Sequence, residues 1–116
     1  MEYIAFYKSD APPHPPSPDE IAAMGKLMEE QTRAGKLIAS GGFQPAEQGL
    51  RIRYSNGDFS VRDGAGTATD GMGGGFGMLR AASKAELIEQ VKNFLKVAGP
   101  GECTIRILLD GPPPQR

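Results

Sequence analysis

The chain is short of the residues that most site chemistry needs. It has one cysteine and one histidine in 116 residues. A lone cysteine excludes an intrachain disulfide. Cys103 falls in the alternating run Cys103, Ile105, Ile107, Leu109 and reads as a small buried member of a strand's apolar face, with no base close by in sequence. The histidine, His14, sits between prolines and reads as a solvated loop residue without a catalytic partner in local reach. No calcium-loop spacing and no histidine–cysteine cluster is present, so no metal site is expected and no cofactor is implied.

Excess charge is also lacking. Thirteen basic residues face fourteen acidic ones, for a net charge of −1. That removes the electrostatic footprint of a nucleic-acid binder, and no basic amphipathic stretch suits a membrane surface. No apolar run approaches the roughly 18 residues of a spanning helix. The opening Met-Glu-Tyr-Ile-Ala-Phe-Tyr-Lys does not resemble a signal peptide. The expectation is one soluble, cytoplasmic domain over residues 1–109 with a disordered, proline-rich tail over 110–116.

What the chain has in quantity is glycine. Seven of its sixteen glycines lie between Val61 and Leu79. Glycine permits positive φ and close backbone approach at an entropic cost, so this stretch reads as a mobile segment or one held by a partner chain. Gly71-x-Gly73-Gly74-Gly75-x-Gly77 is not a nucleotide fingerprint, and it joins a strand to a strand rather than to a helix N-terminus.

Around it the pattern is regular. Residues 2–8 alternate as a strand with Tyr3, Ala5 and Tyr7 on one face and Ile4 and Phe6 on the other. Both faces are apolar, so both are expected to be covered. Helices cover one; a chain this short leaves the other to a second subunit. Ser17-Pro18-Asp19-Glu20 opens a helix with a capping box. Ile21, Met24, Leu27 and Met28 make its core stripe, and Gly35 ends it. Lys36–Ser40 is a short strand stopped by Gly41-Gly42. Leu50–Tyr54 and Phe59–Asp63 flank Asn56-Gly57, the preferred type I′ hairpin turn, and their apolar face is expected to lie on the core. Gly75–Arg80 is a strand. Ser83–Glu86 caps a second helix whose stripe is Leu87, Ile88, Val91, Phe94 and Leu95, and Glu102–Leu109 is the last strand.

Without its hairpin this order is the split βαβ pattern: an α+β, ferredoxin-like domain with an antiparallel sheet and two helices on one face. Two such sheets packed bare face to bare face make a dimeric α/β barrel, so the expected partner is a second copy of the chain.

These residues resemble the YCII-related, DGPF-motif proteins, small dimeric α/β-barrel proteins, some of them fused or adjacent to extracytoplasmic-function sigma factors. The resemblance rests on the opening strand, on S-P-D-E-I-A-A-M at Ser17–Met24, on A-G-x-L-I-A-S-G-G-F-Q-P at Ala34–Pro45, and on Asp63-Gly64 followed by Gly74-Gly75-Phe76. The family signature D-G-P-F-x-E-x-K-E is degenerate here. Ala65-Gly66 stands for P-F, and Ala68-Thr69-Asp70-Gly71 replaces the acid-and-lysine segment. A histidine at the start of the first helix, proposed to work with an aspartate in some relatives, is matched here by Glu20.

Two functions follow. One is a dimeric small-molecule-binding or regulatory module. The other is a cofactor-independent enzyme with Asp63 or Glu20 as general base. In the Asn56-Gly57 register Arg51 faces Arg62 with Arg53 beside them, a candidate site for a small anionic ligand. Asp before Gly is also ordinary turn chemistry. Gly64, Gly74, Gly75 and Phe76 are the loop residues any such site would use.

Overall fold

The computed structural model describes residues 1–12 and 14–109; the tail expected over 110–116 lies outside them. Six strands and two helices run in the order β1 (Glu2–Ser9), α1 (Pro18–Arg33), β2 (Leu37–Gly42), β3 (Leu50–Ser55), β4 (Asp58–Asp63), β5 (Gly75–Arg80), α2 (Lys84–Ala98) and β6 (Gly101–Ile107). β2, β5, β1 and β6 form one antiparallel sheet in that order, and β3 and β4 form a separate two-stranded sheet. The fold is α+β with the ferredoxin-like strand order.

Local chemistry sets the helix limits. The Ser17 hydroxyl accepts from the Glu20 amide at 3.1 Å, and Ser83 does the same for Glu86 at 3.2 Å. α1 stops where Gly35 adopts φ +73° and its amide donates to Thr32, and α2 stops at Gly99 with φ +99°. Only glycine takes these values without strain.

The sheet face toward the helices is laid out in three rows by the strand register. Leu37, Leu79, Tyr3 and Ile107 form the first, Ser40, Gly77, Ala5 and Ile105 the second, and Gly42, Gly75, Tyr7 and Cys103 the third. Side chains shrink from the first row to the third everywhere but at Tyr7. The core follows that gradient: Tyr3, Ala81 and Leu87 are its buried centre, with Ala5, Leu79, Val91 and Ile105 packed against it.

Several expectations are corrected. β2 runs on through Gly41 and Gly42, which pair with Phe76 and Gly75. β6 ends at Ile107 rather than Leu109. α1 buries no residue and its Ile21 is exposed, since the sheet positions facing it include the small Ser40, Gly42, Gly75 and Gly77; Ile88 on α2 is exposed too. The hairpin does not lie on the core. Its strands pair in the register Arg51↔Arg62, Ile52↔Val61 and Tyr54↔Phe59 around Asn56 (φ +53°) and Gly57 (φ +82°), yet every one of its residues is exposed. The radius of gyration, 16.5 Å, exceeds the roughly 13 Å of a compact domain this long, in keeping with a projecting hairpin.

Candidate functional site

Where the third row should meet the helices, the molecule is hollow. A cavity of about 900 Å³ lies between sheet and helices, near the upper end for small-molecule sites. Its floor is Ala5, Tyr7, Gly75, Gly77 and Cys103, and its far walls include Met24 and Met28 of α1 and Phe94 of α2. The two methionines, expected as core filler, therefore face open space.

Gly77 would carry an added Cβ only 3.2 Å from the Leu79 side chain, so it both fits and hollows the sheet. Gly73, at φ +66°, crosses so close to β1 that a Cβ would sit 2.0 Å from the Tyr7 carbonyl. The Gly74 amide then donates to that carbonyl at 3.1 Å, and Phe43 donates to Gly74 at 2.8 Å. The glycine-rich stretch, expected to be mobile or held by a partner chain, is thus tied down by its own chain. A single 3-10 segment, Thr67–Met72, carries it across the end of the sheet. A second cavity of about 590 Å³ lies on the other side of Gly73, bordered by Lys8, Phe43, Thr69 and Asp70.

The polar groups at the main cavity are few and mostly engaged. The Tyr3 hydroxyl donates to Gln90 Oε1 at 2.7 Å, and Gln90 Nε2 donates to the Arg80 carbonyl at 3.1 Å, which fixes that amide. The Tyr7 hydroxyl faces the carbonyls at the end of α2, nearest Gly99 at 3.1 Å, while its ring meets Phe94 edge-on at 5.3 Å. Burial pushes the Tyr3 phenol up to about 12, with Cys103 and Glu86 adding to the effect. Burial also raises the Cys103 thiol, so it is poorly suited to act as a thiolate. His14 and Lys8 line the cavity and no carboxylate does so among the described residues. The histidine expected in a solvated loop is exposed in a loop and also borders the cavity. One signal for the cavity was in the sequence: in Gly75-Phe76-Gly77-Met78, glycines alternate with large apolar residues, which puts all the small positions on one face.

The other candidate residues are spread out. Glu20 lies in the exposed first turn of α1 and Asp63 at the exposed end of β4, and neither borders either cavity. Arg51 turns back along its own strand: its Nε donates to the Gly64 carbonyl at 3.1 Å and its guanidinium packs on Gly66. Arg53 and Arg62 stand on the exposed hairpin. Among the described residues none of the three arginines pairs with a carboxylate, and none lines either cavity. Gly74, Gly75 and Phe76 do border the main cavity; Gly64 does not. No group of three metal-ligating side chains occurs among the described residues. No helix among them is long and apolar enough to cross a membrane.

The strand order, the Gly74-Gly75-Phe76 segment and the hairpin before it agree with a family match: the YCII-related domain matches residues 1–108. The chain belongs to the YCII-related family. No match is found among curated proteins. Membership of the YCII-related family agrees with the α+β architecture and leaves the ligand to be read from the cavity.

Proposed function

We propose that this YCII-related chain is a small-molecule-binding or regulatory module that works as a homodimer, with its ligand held between sheet and helices. The observation that carries this is the cavity of about 900 Å³ built where a core would otherwise lie. Water in such a space leaves its mostly apolar walls hydrated, a cost that a ligand with apolar surface relieves. The homodimer reading is supported by the second sheet face, where Ile4, Phe6, Phe76 and Met78 stand together in register and remain partly exposed. Among the described residues the cavity wall carries no carboxylate, and neither Asp63 nor Glu20 borders it.

The test is an uncharged apolar dye, Nile red, offered to the parent and to Gly77→Val. Valine suits a strand and projects from the floor into the cavity. The parent is expected to bind the dye, and bound dye to slow alkylation of Cys103 by iodoacetamide at least several-fold. Gly77→Val makes Leu79 give by a few tenths of an ångström; with circular dichroism matching the parent's, it is expected to lose both effects. A parent that neither binds the dye nor shows protection, or a valine variant that does both as well as the parent, overturns the reading.

A further inference from the structure

We infer that the β3–β4 hairpin is an arm that seats its apolar face on a second copy of the chain. Ile52, Tyr54, Phe59 and Val61 share one face by register, with Tyr54 and Phe59 rings at 4.7 Å, and they are 64%, 65%, 73% and 64% exposed. Leu50 extends the patch at the base of the hairpin and is also exposed. A two-stranded hairpin alone in water is marginal, and a hydrophobic face needs a surface to lie on. Nothing in the described chain supplies one, since the hairpin pairs with no other strand and buries none of its side chains.

Area identifies the occupant. Five large apolar side chains at this exposure leave on the order of 600 Å² open, at the limit of what monomeric proteins show as one patch. A two-fold dimer uses the arm twice, and each arm covers a similar area of the other copy. The total is then roughly 2,400 Å², above the ~1,600 Å² of a standard stable interface. The arm also continues a surface that already lacks cover. Phe43, 41% exposed, stacks on Phe76 of the bare sheet face at 5.8 Å, and the chain passes from there into the hairpin. The turn chemistry fits an arm that must hold its shape unsupported: Asn56 and Gly57 both take the positive φ of a type I′ turn.

This inference rests on the homodimer proposed above and adds the surface that makes it tight. The test is sedimentation of the full chain and of a Tyr54→Ser, Phe59→Ser double variant. Both positions are exposed in the single chain, so the body keeps its circular dichroism. The parent is expected to be a dimer at micromolar concentration and the variant to dimerise at least 100-fold more weakly. As a second readout, Phe59→Trp places the chain's one indole on the arm, and its emission is expected to shift to the red on dilution to monomer. A double variant that dimerises as tightly as the parent, or an indole with water-exposed emission in the dimer, overturns the arm while leaving a sheet-face dimer standing. A parent that is monomeric overturns arm and dimer together, and dye binding at Gly77 reports on the cavity by itself.

Discussion

The two ends of β1 are built on opposite plans. At Tyr3 the sheet is packed, and the cavity only borders it. The ring is fully buried with Leu87 and Ala81, its hydroxyl is held by Gln90, and the chain's amino group donates to the Ala81 carbonyl at 2.7 Å while Ala81 donates back to Met1 at 2.9 Å. At Tyr7, four residues on and facing the same way, the ring meets a helix only along one edge and the neighbours in its row are the small Gly75 and Cys103. One strand thus serves as core at one end and as cavity wall at the other. The difference lies in the partner strands, since β5 presents Leu79 beside Tyr3 and glycine beside Ala5 and Tyr7. A fold that needs only one packed end to hold together is free to keep the other hollow.

The largest expected effect separates the ends by mutation. Leu87→Ala removes a buried side chain from the closed end and is expected to cost about 2–5 kcal/mol. Met28→Ala deletes a side chain that already faces open space and is expected to cost under about 1 kcal/mol, because few partner atoms are lost. Denaturant unfolding of both variants checks this. Equal losses would mean that the hollow end is filled in solution.

The second effect is alkaline. Tyr3 has its phenol raised to about 12 by burial, against about 10 in an unfolded chain. The folded state therefore favours the neutral phenol. The stabilisation is fully present below pH 10 and is lost as pH rises from 10 to about 12, by at most about 2–3 kcal/mol. Unfolding curves at pH 8 and pH 11 should show about half of that loss in the parent. In Tyr3→Phe it should be absent, on a baseline lowered by about 1 kcal/mol for the missing hydrogen bond to Gln90. An unchanged alkaline loss in Tyr3→Phe would show that the closed end is not its source.

The closed end was legible in the sequence and the hollow end largely was not. Capping serines, helix-ending glycines and period-two alternation are local signals, and Ser17, Gly35, Ser83 and Tyr3 act where those signals point. The cavity depends on which residues of different strands stand side by side. Gly42, Gly75 and Tyr7 form a row only after the register is known, and that His14 borders the cavity is visible only in the folded chain. The glycine-rich stretch shows both sides of this. Its composition announced an unusual backbone path, but the need for glycine at position 73 comes from the Tyr7 carbonyl, sixty-six residues earlier. The hairpin register could be read from Asn56-Gly57, whereas its exposure could not, because an apolar face looks the same in sequence whatever covers it.

The smallest effect concerns Arg51, which bears on the hollow end alone. Opposed like charges in a sheet cost up to about 1 kcal/mol, so the Arg51↔Arg62 pair is unfavourable if both guanidinium groups stay side by side. Arg51 escapes by turning to the Gly64 carbonyl and lying over Gly66, where it clamps the start of the segment that leads to Gly73. The two arginines therefore predict opposite signs. Arg62→Ala removes what repulsion remains and is expected to raise stability by no more than about 0.5 kcal/mol, less at high salt. Arg51→Ala loses a hydrogen bond and is expected to lower stability by about 0.5–1 kcal/mol. Its clearer signature is local. Amide exchange should quicken at Gly74 and Phe43, beside the cavity, and stay unchanged at Ala81, whose amide bonds to Met1 at the closed end. Equal quickening at both ends would show that the two halves of the sheet open as one unit and that the division drawn at β1 is only geometric.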